Sequence, residues 1–228
     1  MPSWPWSSSR GLRFRSHFVT IALFVLSSSS QASEAHDCPP AEVEGARVAV
    51  LDLVERIELE ADRAGIWTTA WIGEITGSLV AQVGVIAFVD PEDRPDLYVG
   101  AVSSAIGVVA LLADPLDVIE HGQTIRADAA RLVAGLGPCS ARRELEALLA
   151  ADAEEAREAA AWPMHLGNIL FNLVTAAIVG FGFGHWQSAA INFGAGTLIG
   201  EIMLFSQPNG LVRDPPIGSR MSAFSFSF

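Results

Sequence analysis

Apolar residues along the chain follow two patterns. Over residues 41–64, Val43, Ala46, Val50, Leu53, Val54, Ile57 and Ala61 recur at steps of three and four, with acids and Arg between them. That period predicts an amphipathic helix, and Gly65 marks its expected end. Four longer stretches follow, over 67–89, 97–113, 164–183 and 187–205, each apolar nearly throughout. Each is about 20 residues long, the length of a bilayer span. The first contains Glu74 and Gln82, and the fourth contains Glu201.

The stretches pair off. Asp90-Pro91-Glu92-Asp93-Arg94-Pro95-Asp96 joins the first two, a strong turn signal. Little more than Gly184-His185-Trp186 joins the last two. No sustained two-residue alternation is present, which argues against a membrane barrel. The expected fold is therefore all-α: two hydrophobic hairpins built from four apolar helices, embedded in a membrane as a bundle. Amphipathic helices complete it. Between the hairpins, Val118, Ile119, Ile125, Ala129, Leu132 and Val133 mark one polar-faced helix. Gly135-Leu136-Gly137-Pro138 breaks it, and Leu145, Leu148 and Leu149 begin another.

The first 35 residues read differently. Arg10, Arg13 and Arg15 precede the apolar run 18–26, and small polar residues follow it up to Ser33-Glu34-Ala35. A basic end, a short apolar core and a small-residue cut site predict a cleavable export signal. The expected divisions are a signal peptide over 1–35, an exported helix over 36–66 and a first hairpin over 67–113. A polar connector over 114–162, a second hairpin over 163–206 and a flexible tail over 207–228 complete the chain. Export puts both ends and the connector on the outer, periplasmic side of a bacterial cell membrane.

Composition narrows the partners. The 228 residues carry 14 basic and 26 acidic side chains, a formal charge of −12, and every cation is Arg. Removing residues 1–35 leaves 25 acids against 11 Arg, a formal charge of −14. Nucleic acid is excluded, since its phosphates demand a basic surface. The positive-inside rule gives no support for the topology, because the two inner turns hold only Arg94 and His185. The lipid bilayer is the expected partner, held through apolar burial alone. In an exported chain the two cysteines, Cys38 and Cys139, predict one disulfide.

Chemistry is sparse. Gly194-Ala195-Gly196-Thr197-Leu198-Ile199-Gly200 looks like a nucleotide-binding loop, but no βαβ unit fits around it. Close helix packing explains it better: Gly196 and Gly200 form a small-residue pair, as do Gly73 and Gly77. Such glycine faces also suit self-association or a protein partner. No metalloprotease, hydrolase, P-loop or paired-cysteine motif occurs. No catalytic residue, metal ligand or cofactor is expected.

Carboxylates among lipid tails are costly and mark functional positions. Glu74 and Glu201 lie at similar expected depth, with His165, Asn168 and Asn172 on the third stretch. All five are expected to meet in one intramembrane polar cluster. The leading expectation is a structural or interaction component without catalysis. The alternative is a small transport or permeation protein using Glu74 and Glu201. His121, in the connector, reads as a solvated residue. The pentapeptide 71–75 matches 165–169 at an offset of 94, a weak sign of internal duplication that would run both hairpins in the same sense.

Overall fold

The structure is a computed structural model that describes residues 38–213. The expected signal peptide, and the tail after residue 213, lie outside the described residues. Within them the chain is all-helical: α1 (Pro40–Val85), α2 (Arg94–Ala113), α3 (Asp117–Leu136), α4 (Pro138–Ala159), α5 (Trp162–Ala177), α6 (Trp186–Ser206) and the single turn α7 (Gly210–Arg213).

The expected break at Gly65 does not occur. α1 runs unbroken for 46 residues, from the amphipathic stretch through the first apolar one, about 69 Å at 1.5 Å per residue. A lone glycine lowers helix stability by only about 1 kcal/mol. Gly65 is followed by neither proline nor a left-handed residue, so nothing stops the hydrogen-bond ladder. The expected boundary at residues 66/67 thus lies inside one continuous helix. True breaks fall where the backbone demands them. Gly137 joins α3 to α4 at φ 80°, ψ 160°, a region open essentially to glycine alone.

Two assemblies share α1. Its N-terminal half packs with α3, α4 and α7 into a head. Val50, Leu53, Ile57, Ala61 and Ala64 meet Val118, Ile125, Ala141, Leu145, Leu149, Ala153 and Leu211 there. Ile57, Leu145 and Leu149 are wholly buried, each worth roughly 1.5–3 kcal/mol relative to exposure. At Gly122 the helices α1 and α3 touch, since a Cβ there would overlap the Ala61 methyl. The disulfide expected from sequence is present: Cys38 and Cys139 are bonded, with Cα atoms 5.8 Å apart. It ties the start of α1 to the first turn of α4. Only the beginning of the expected flexible tail is described, and it is helical at Gly210–Arg213, with Leu211 in the head core.

The second assembly is the pair of hairpins, α1/α2 and α5/α6. α5 ends in a π-helical turn, Ile178–Gly182. Gly184, at φ 79°, then reverses the chain. Gly180 lets the Trp186 ring lie against the α5 end; a Cβ there would come within 2.9 Å of the ring. Three helical stretches are long and apolar enough to cross a membrane. They are the run beginning at Arg94, whose apolar part is α2, then Trp162–Gly182, and Trp186–Ser206. The expected fourth, within α1, is not among them; Glu74 and Gln82 interrupt its apolar run.

Both hairpins are antiparallel and run in the same sense. Their turns lie together, because His185 in the second turn is 2.7 Å from Asp96 beside the first. At the other end Trp67 and Trp71 each donate an indole N–H to Ser206 Oγ, at 3.1 and 3.2 Å. Between those ties lies an apolar groove of about 330 Å³, lined chiefly by Val99, Val102, Ile106, Phe171, Val174 and Ile178.

Candidate functional site

The polar cluster expected within the apolar stretches forms around α5 and α6. His165, Asn168 and Asn172 stand at i, i+3 and i+7, one face of a helix. Opposite them α6 presents Glu201 with Gly196 and Gly200. His165 Nδ1 lies 2.6 Å from Glu201 Oε2. Asn168 donates from Nδ2 to Glu201 Oε1 at 2.9 Å and to the Thr197 carbonyl at 3.0 Å. Asn172 Nδ2 in turn donates to Asn168 Oδ1, at 2.9 Å. Both carboxylate oxygens of Glu201 are therefore engaged, and the amides continue the chain of bonds along α5.

Glycine makes this approach possible. A Cβ at Gly200 would overlap Asn168 Oδ1, and one at Gly196 would overlap Asn172 Oδ1. The same device recurs in the first hairpin, where Gln82 Oε1 lies against Gly100 and Gln82 Nε2 donates to Ser104 Oγ at 3.1 Å. The Gly196/Gly200 pair is thus spent within the chain. At Gly73 and Gly77 an added Cβ would meet nothing, so of the two glycine pairs only that one is open to another chain.

Glu74 departs from expectation. It is exposed and makes no hydrogen bond or ion pair among the described residues. The cluster unites His165, Asn168, Asn172 and Glu201 and leaves Glu74 outside. Equal depth placed it near the others in the sequence reading. Its rotation about α1, which depth does not fix, turns it away.

Two further pairs escaped the sequence reading. His185 with Asp96 clasps the two turns; their side chains are 26% and 14% exposed. His121, expected to be solvated, sits 2.7 Å from Asp152 Oδ1, a carboxylate only 1% exposed. That hydrogen bond, with the neighbouring charges of Asp152, Asp117 and Glu120, holds the imidazole's pKa above its ordinary value despite partial burial. Each histidine among the described residues therefore has a carboxylate partner. The signal was available for His121, since Asp152 lies on the apolar side of α4 beside Leu145 and Leu149. A buried carboxylate calls for a partner.

Comparison with protein-family models, with curated proteins and with solved structures gives no match. Function must therefore be argued from the geometry. No group of three or more His, Cys, Asp or Glu side chains among the described residues is arranged to hold a metal ion. The Glu201 cluster can hold α5 against α6, and can hold a proton between His165 and Glu201. It has two titratable members on a chain of amides, an arrangement suited to fixing register.

Proposed function

We infer that this chain is a non-enzymatic membrane component, exported to the bacterial cell membrane, which carries its acidic helical head on the periplasmic side and works through interaction and assembly. One observation carries the reading. The three long apolar helical runs bury only 6%, 17% and 6% of their apolar windows within the chain. Large contiguous apolar surfaces on a monomer mark contact with lipid or another protein. The head, by contrast, closes a full core of its own and needs no such cover. The bonded cysteines are compatible with export, since disulfides persist in oxidising compartments.

In this reading the hydrogen-bonded polar groups of the hairpins fix their packing, and the outer faces are largely apolar apart from the exposed Glu74. Assembly with a second copy or a protein partner uses the open Gly73/Gly77 face. The permeation alternative needs Glu74 and Glu201 in one site, and the position of Glu74 gives that pairing no support. The deciding measurement is alkaline carbonate extraction of membranes from cells producing the full chain. The protein should stay in the pellet and require detergent. Release into the carbonate supernatant as a monodisperse species would overturn the membrane reading.

A further inference from the structure

Glu60 of α1, with Asp152 and Glu155 of α4, lines a small cavity completed by Gln207, Pro208 and Leu211. The cavity holds about 20 Å³, room for a single water. It lies where the chain leaves α6 and docks on the head. Asp152 is 2% exposed and Glu60 6%. One Asp152 oxygen, Oδ1, is taken by His121, whereas Oδ2 is buried with no hydrogen-bond partner. A buried carboxylate oxygen left unpaired is costly, so this wall of the cavity is built to receive a donor.

We propose that the cavity enclosed by Glu60, Asp152 and Glu155 is a proton-operated latch, which holds the segment after α6 against the head when Glu155 is protonated and frees it when that proton leaves. The segment is held at two points. Leu211 is buried in the head core, and the Glu60 carboxylate lies against the Gly210 backbone, where a Cβ would overlap it. The charges that line the cavity or act on the groups beside it come from α1, α3 and α4. α1 supplies Glu60, whose carboxylate accepts from Arg63. α3 and the turn before it supply Asp114, Asp117, Glu120 and His121, and α4 supplies Asp152 and Glu155. Among the described residues these acids outnumber the cations His121 and Arg63, so loss of the Glu155 proton adds repulsion around a space too small to admit more than one solvent molecule.

Two of these groups bind protons more tightly than usual. Burial pushes the Glu155 carboxyl up, against the hydrogen bond it accepts from the Asp117 N–H, and the nearby Asp117, Asp152 and Asp114 charges push the same way. His121 is raised chiefly by its bond to Asp152. For both, the folded value lies above the unfolded one. Gln207, Pro208 and Leu211 share the cavity with Glu155, so undocking the segment wets that carboxyl and releases its proton, and the stabilisation that docking gains is lost as pH rises through the raised value. The latch is closed in mild acid and opens as pH rises. This inference concerns the head alone and stands whether or not the hairpins cross a membrane.

Amide hydrogen exchange on the full-length protein in detergent micelles tests it. Rates are normalised at each pH to those of the unfolded peptide. Exchange over residues 209–213 should rise several-fold between mildly acidic and mildly alkaline buffer, and by more than at the amides around Leu53 and Ile57 in α1, which report on the head core as a whole. Glu155→Gln keeps an acceptor for the Asp117 N–H and removes the titration, so it should flatten that rise. A flat wild-type profile overturns the latch, whether or not the variant folds. So does a parallel rise at Leu53 and Ile57, which would mean general loosening, and so does a full rise in the variant.

Discussion

At Gly200 the absence of a side chain decides how two helices meet. Asn168 reaches the Thr197 carbonyl and Glu201 only because no Cβ stands in its way. Gly200→Val would push Asn168 off both partners. Overpacking of this kind costs about 1–3 kcal/mol, and an amide stripped of its partners adds to it. We expect a clear fall in the thermal midpoint of the detergent-solubilised protein. Gly77→Ala is the contrasting case. Nothing within the chain meets the added methyl, and alanine favours the helix by about 1 kcal/mol. The same melting experiment should show no loss for that variant; a loss would mean that Gly77 faces a close neighbour, such as a second copy. Glycine identity is plain in the sequence, but which glycines are filled is not, because helix rotation sets that.

Among the elements, α1 has the largest consequence. One rod belongs to both the head and the first hairpin, so no loop separates the two. The Cys38–Cys139 bond fixes the far end of that rod to α4. The bond joins residues 101 apart, and closing a loop of that size removes roughly 4–5 kcal/mol of unfolded-chain entropy in the chain-entropy model. Cys139→Ser should lower head stability by up to that amount, measured as a shifted denaturant midpoint followed by circular dichroism. An unchanged midpoint in reduced and oxidised protein would show that packing alone secures α1 on α4. The pairing was legible from an even cysteine count joined to the expectation of an export signal. The unbroken α1 was not, because Gly65 has the composition of a stop without its backbone geometry.

For the molecule as a whole, three histidine–carboxylate pairs hold three levels: the head, the α5/α6 contact and the shared turn end. The head pair contains the most protected carboxylate of the three, Asp152 at 1% exposed. His121→Ala leaves Asp152 buried and uncompensated, at a cost of about 3–5 kcal/mol. The variant should melt well below the wild type in mild acid. The gap should narrow as pH rises and the wild-type imidazole loses its charge, since its contribution is present below the ordinary histidine value and lost through the raised one. A constant gap across that range would assign the loss to packing.

Patterning by itself determined the all-helical class, the two hairpins, the helical connector with its break at Gly137 and the pairing of the cysteines. These follow from local period, chain-breaking residues and parity, which need no knowledge of what lies alongside. It also marked His165, Asn168, Asn172 and Glu201, because polar groups in apolar runs are conspicuous. Tertiary structure decided what such groups face. It turned Glu74 outward, gave His121 and His185 their carboxylates and brought Glu60, Asp152 and Glu155 from separate helices around one small cavity. Rotation about a helix axis and contacts between distant residues are set by packing across elements, and no reading along one element fixes them.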